Sequence, residues 1–160
     1  MHDRRSGTCL SLLCCVLIIS TIAWGHHPNG ARQEPQTPAQ ERARQLVASG
    51  IQHLSTQNYR QAVNDFQAAV QLDPEDAEAH FSWGVALGAL GQHQEEIKRY
   101  ELAVRYDPTF GEAFVAWALA LLQLGKEAEA KAKVIEALNV APEAISPMQL
   151  VVLKSLGLLE

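Results

Sequence analysis

Thiols are almost missing from this 160-residue chain: its three cysteines, Cys9, Cys14 and Cys15, all lie near the amino terminus, and none follows. Beyond Cys15 this excludes disulfides, thiolate catalysis and cysteine metal sites together. Aromatic residues make up only 6 % of the chain, and there is no basic excess, the formal net charge being −5 with histidines neutral. An acidic balance of that kind does not invite nucleic acid or an anionic membrane surface. The signatures that carry common chemistries are absent as well: no Gly-rich phosphate loop, no G-x-S-x-G and no H-E-x-x-H. His53, His80 and His93 do not form i, i+3 or i, i+4 ligand pairs, and the carboxylates of Glu95-Glu96 or Glu127 and Glu129 do not share a helix face. No residue stands out to carry catalysis, and no cofactor or metal is implied.

Long apolar runs are also scarce, and the clearest one is at the start. Arg4 and Arg5 precede the stretch Leu10 to Ala23, and Ala23-Trp24-Gly25 places small residues at the two positions a signal peptidase reads. Residues 1–25 resemble a secretory signal peptide, cleaved between Gly25 and His26. The apolar stretch is shorter than the roughly 20 residues of a spanning helix, so a retained membrane anchor is the alternative and not the first expectation. Neither Cys14 nor Cys15 has the setting of a lipoprotein signal, and Ser6-Gly7 after the arginine pair does not suit a twin-arginine signal. Residues 26–39, with Pro28, Pro35 and Pro38 among Gly, Asn, Gln and Thr, have little to bury and read as a flexible linker.

The remainder is periodic. Pro74, Pro108 and Pro142 stand 34 residues apart, and the text between them repeats in register. One column holds Ala69, Ala103 and Ala137, another Phe66, Tyr100 and Val134, and another Gly50, Gly84 and Ala118. Gln57, Gly91 and Gly125 fall at the expected tight turn. Each unit reads helix, turn, helix, with helices expected over 40–55, 59–72, 75–90, 93–106, 110–124 and 127–140. In Asp73-Pro74-Glu75-Asp76, an aspartate cap and a first-turn proline are expected to open the third helix. A period of this length marks a solenoid, in which one helix pair cannot bury its own apolar face and must stack on its neighbours.

Tyr59-x-x-Ala62-x-x-x-Phe66-x-x-Ala69 followed by Asp73-Pro74 resembles the tetratricopeptide repeat (TPR) signature, A-x3-F then P. The second unit keeps Gly84, Tyr100, Ala103 and Asp107-Pro108 but has Glu96 where the signature has alanine; the third keeps Ala130 and Ala137 but has Val134 for the aromatic. The resemblance implies an all-α, right-handed solenoid of antiparallel pairs, about seven helices in all, over residues 40–160, with repeats at 43–76, 77–110 and 111–144. Ser146-Pro147 opens a seventh helix over 146–159, the first half of a fourth unit acting as a cap.

In TPR proteins the first helix of each pair lines a concave groove. The repeat phase then places Val47, Ile51 and Leu54, next Glu78, Phe81 and Val85, and last Glu112, Val115, Leu119 and Leu122 on that surface. Well-known chaperone-binding members hold a terminal carboxylate there with lysines and asparagines. Aliphatic and aromatic side chains occupy those places here, so that clamp does not carry over, and a groove edged by Glu78 and Glu112 suits an apolar or mildly basic peptide or an amphipathic helix. Phe81 is the expected anchor. The apolar outer face of the last helix, at Leu150, Leu158 and Leu159, offers a second contact surface, including to a second copy of the chain.

These features point to a non-catalytic adaptor or scaffold for a protein partner, exported to the periplasm or cell envelope. The alternatives are a small carrier or holdase for a hydrophobic ligand or unfolded segment, or a membrane-tethered subunit of an envelope assembly. Amino-terminal sequencing of the protein recovered from its native cell checks the export reading: the expected first residue is His26, and a chain that still carries residues 1–25 overturns it.

Overall fold

A computed structural model describes residues 37–142 and 145–158; residues 1–36, where the signal and most of the linker are expected, and Leu159 lie outside the described residues. The described residues form seven helices and no strand: α1 Pro38–Ser55, α2 Tyr59–Leu72, α3 Ala77–Ala89, α4 His93–Tyr106, α5 Gly111–Gln123, α6 Glu127–Val140 and α7 Pro147–Ser155. Successive helices pack as antiparallel pairs, α1 on α2, α3 on α4 and α5 on α6. Each pair leans on the next through α2 with α3 and α4 with α5, and the first helices α1, α3 and α5 touch more lightly along the stack. None of the described helices is long and apolar enough to cross a membrane.

Local chemistry sets the ends. Helix α1 starts at Pro38, before the expected Gln40, because Thr37 and Gln40 form a reciprocal cap: the Gln40 N–H donates to Thr37 Oγ1 at 3.2 Å and the Thr37 N–H to Gln40 Oε1 at 3.0 Å. Pro38 needs no N–H in the first turn, so part of the expected linker is helical. The third helix starts later than expected. Asp73, held extended by the following proline, ends α2, and Asp76 is the cap, its Oδ1 accepting the Ala79 N–H at 3.0 Å. Pro74 thus sits in the turn and not in the helix. Helix α7 ends at Ser155, short of the expected 159, where Gly157 takes a φ of 70° and the Leu158 N–H closes back on the Leu153 carbonyl at 2.9 Å.

Within each pair the repeat columns meet as contacts. A Cβ placed on Gly50 would lie 2.5 Å from the Phe66 ring, and one on Gly84 2.5 Å from the Tyr100 ring. The third unit changes both members at once, Ala118 standing opposite Val134, so a methyl appears where the ring is gone. Phe66, Tyr100 and Val134 are all buried with no exposure, each burial stabilising by about 2 kcal/mol. A second column pair is polar. Arg99 lies over the Trp83 ring at 3.6 Å and Lys133 over Trp117 at 4.2 Å, whereas the first unit replaces the pair with Ser49 donating to Asp65 at 2.7 Å. The turn column behaves alike in all units: Gln57, Gly91 and Gly125 have φ of 61°, 73° and 73°.

Glu96 breaks its column, where Ala62 and Ala130 stand, and its carboxylate is buried. The room comes from Gly88, in the column of Leu54 and Leu122; a Cβ there would meet Glu96 Oε1 at 2.5 Å. Tyr100 donates its hydroxyl to Oε1 at 3.1 Å and His93 Nδ1 lies 2.8 Å from Oε2. That hydrogen bond raises the His93 pKa above the ordinary 6.5, against the opposing effect of burial.

Two measurements check this packing. Gly50→Ala is expected to destabilise by about 1–3 kcal/mol, and Gly50→Ala with Phe66→Val, which copies the third unit, to cost less than the two changes summed; strict additivity in denaturant unfolding would refute the contact. For His93, the raised native value means that its contribution is complete below the unfolded-state pKa near 6.5 and is lost as pH rises through the native value. The stability gap between the protein and His93→Gln should therefore narrow from about pH 6 to pH 9, and a constant gap would exclude the linkage.

Candidate peptide-binding cleft

The first helices present their faces as the period requires, but not to the same depth. Val47, Leu54, Phe81, Val85 and Val115 are buried, Phe81 at 2 % exposure. The Phe81 ring lies 4.9 Å from Phe110 and 5.8 Å from Tyr100, so it joins α3 to α4 and to the α4–α5 turn. The expectation of a mid-groove Phe81 anchor is corrected: bulky side chains at these columns fill the space where neighbouring helices touch. Ile51, Leu119 and Leu122 are half-buried and still reach the surface, Glu112 is half-buried, and Glu78 is exposed.

In the expected C-terminal contact, Leu158 is corrected in the same way. Leu158 is 4 % exposed and Leu153 1 %, both in an apolar cluster with Phe114, Val115, Leu121 and Val134. Closing the open end of the stack buries these side chains, which serve as the cap's inner face. Leu150 stays exposed at 37 %, beside Val151.

Where the first-helix faces do open is a cleft of about 640 Å³ at the first inter-repeat step. Gln40, Arg44, Val47, Ala48 and Ile51 of α1 form one side; Asp73, Glu75 and Asp76 of the α2–α3 turn and Glu78 of α3 form the other. Its floor is aliphatic and its rim carries four acids against Arg44. On the outer helices Glu95 pairs with Lys98, Glu101 with Arg105, Glu129 with Lys126 and Glu136 with Lys133. The acidic turn is also fixed in place. Besides the Asp76 cap, His80 Nε2 lies 2.9 Å from the Pro74 carbonyl, which can only accept, so the ring proton is on Nε2. Buried and stacked on Tyr106 at 5.5 Å, His80 has its pKa lowered, burial outweighing the Pro74 bond.

Asp73, Glu75 and Asp76 are therefore site residues that repeat phase alone did not supply. The signal was present as four acids in six residues, Asp73 to Glu78, a density that the corresponding Asp107-Pro108-Thr109-Phe110-Gly111-Glu112 does not match.

One cluster has the residue types of an acyl-transfer relay without its order. Asp65 Oδ2 accepts from Ser49 Oγ at 2.7 Å and lies 2.8 Å from His53 Nδ1, so the carboxylate is central and the hydroxyl is not held by the imidazole. Among the described residues no three His, Asp or Glu side chains converge as a metal site.

Residues 52–91 match the family model described as TPR repeat. No curated protein is matched. Among solved structures, the Arabidopsis OM64 TPR domain superposes with a TM-score of 0.69 at 21 % identity, covering 74 % of this chain and 97 % of that one. The first TPR of Spaghetti (RPAP3), bound to an HSP90 peptide, gives 0.68 at 19 % identity over 74 % and 94 %. The Yersinia enterocolitica type III secretion chaperone SycD, in complex with a peptide of the translocator YopD, gives 0.61 at 25 % identity over 71 % and 82 %. With the repeat columns and the helix pairs they build, these likenesses give the chain the fold of TPR domains, with a TPR repeat matched over residues 52–91.

Proposed function

We propose that the protein is a non-catalytic adaptor that holds a peptide segment of a protein partner on its concave face, and that it does so after export to the cell envelope. The observation that carries the binding reading is the cleft between α1 and the α2–α3 turn: an aliphatic floor of Val47, Ala48 and Ile51 inside a charged rim, built on rigid helices. Apolar burial supplies affinity at about 25 cal/mol per Å², and a preformed site keeps the ordering cost low. TPR domains solved with bound peptides, SycD with its YopD peptide among them, support a protein partner. The export reading rests on residues 1–25. A lipid carrier is the weaker alternative, since the cleft is open and rimmed by acids.

Ile51 is the discriminating position, half-buried in the cleft and packed at the edge of the core. Ile51→Asp is expected to keep the helix content with a modest fall in thermal midpoint and to reduce partner capture from the native envelope about tenfold. Ile135→Asp, at a 54 % exposed site on α6, should leave capture unchanged. Equal capture by all three proteins would end the cleft assignment. Phe81→Ala is the wrong probe, because it opens a core cavity expected to cost about 3–5 kcal/mol.

A further inference from the structure

The acidic rim specifies the chemistry of the occupant. We infer that the α1/α2–α3 cleft takes a cationic amphipathic segment of a partner protein, with its apolar side chains on Val47, Ala48 and Ile51 and its lysines or arginines against Asp73, Glu75, Asp76 and Glu78. This deepens the peptide-binding reading and rests on it. The polarity is opposite to that of a site built for acidic peptides: an incoming carboxylate would meet four acids and one arginine.

Three observations carry it. The floor and rim are different in kind, aliphatic from the middle of α1 and acidic from the turn, which matches a ligand with one apolar and one basic face. The acids are concentrated at this step of the solenoid. At the next step the corresponding places hold Asp107, Thr109, Phe110 and Glu112, two acids in place of four, and Asp107 is turned onto Thr109, accepting from its N–H at 2.9 Å and its hydroxyl at 2.6 Å. The rim is also preorganised: Asp76 is tied to the Ala79 N–H, and the Pro74 carbonyl to the buried ring of His80. A turn held in this way presents its charge without being ordered by the ligand. Arg44, on the opposite wall, lowers the local negative charge without reversing it and limits how many cations the cleft takes.

The test uses the full chain and fluorescence anisotropy with three labelled model peptides: a leucine/lysine amphipathic helix, its leucine/glutamate counterpart with the same apolar pattern, and a lysine/serine peptide with no apolar face. The leucine/lysine peptide is expected to bind about tenfold or more tightly than either other peptide, with affinity falling as salt rises. Glu75→Lys should weaken it severalfold with an unchanged thermal midpoint, and Glu78→Lys severalfold with the fold retained, while Glu127→Lys on α6 makes the same change in net charge without effect on binding. If both amphipathic peptides bind alike and Ile51→Asp abolishes both, the charge assignment is overturned and the peptide-binding cleft stands. If Ile51→Asp has no effect on either, the cleft reading itself falls. Self-association of the free chain that Glu78→Lys reverses would give the cleft to a second copy and overturn the inference.

Discussion

The structure depends on one close approach, made in the first two repeats and filled differently in the third: the backbone of the first helix against a large side chain of its partner. At Gly50 and Gly84 the absence of a Cβ lets the Phe66 and Tyr100 rings lie where a methyl would be, and at Ala118 the methyl returns because Val134 is smaller. This distance fixes how closely the two helices of a pair lie, and so how wide a step each pair presents to the next. Everything on the concave face inherits that step, since the first helices meet one another only lightly and are positioned mainly by their own partners. A solenoid built in this way has no central core that could compensate for a misfit; each repeat transmits its geometry to its neighbour.

The same logic explains the second unit's departure from pattern. A buried carboxylate is costly unless its oxygens are satisfied, and Glu96 has Tyr100 on one oxygen and His93 on the other. It fits only because Gly88 has given up the side chain that Leu54 and Leu122 keep in the flanking units. Three columns, those of Glu96, Gly88 and Tyr100, thus vary as one contact. Single-column comparison makes Glu96 look like a loss of family character, whereas the structure makes it an exchange of apolar filling for a hydrogen-bonded one.

Much of this was legible beforehand because the period converts position into face. The spacing of Pro74, Pro108 and Pro142 gives the pairs, the turn column and the surface to which each first helix contributes. Depth was not legible. Val47 and Ile51 are one helical turn apart on the same face, yet Val47 is 6 % exposed and Ile51 half-buried, a difference set by the neighbouring helix and not by residue type. Phe81 and Leu158 fail as surface residues for that reason: large apolar side chains are read equally well as anchors or as filling, and here contacts to Phe110 and to the α5–α6 cluster decide for filling. The rim acids were hidden differently. Asp73 and Asp76 carry strong local explanations as helix-end residues, and only the placement of the α2–α3 turn across from α1 shows that they also face a cleft.

A gradient along the stack follows from these particulars. The first unit is the polar one: its second column pair is Ser49 with Asp65 where the others have tryptophan with a cation, and its turn holds Gln57 where the others have glycine. The last unit is the apolar one, closed by Leu153 and Leu158 of α7. The carboxyl-terminal end is capped from within by Leu153 and Leu158, while the amino-terminal end carries the acidic α2–α3 turn and the open cleft. A repeat whose outer contacts are hydrogen bonds tolerates water beside it, and one filled by rings and leucines does not. At the first step the cleft joins open aliphatic surface to charge, and a ligand that brings both apolar surface and positive charge meets both requirements there.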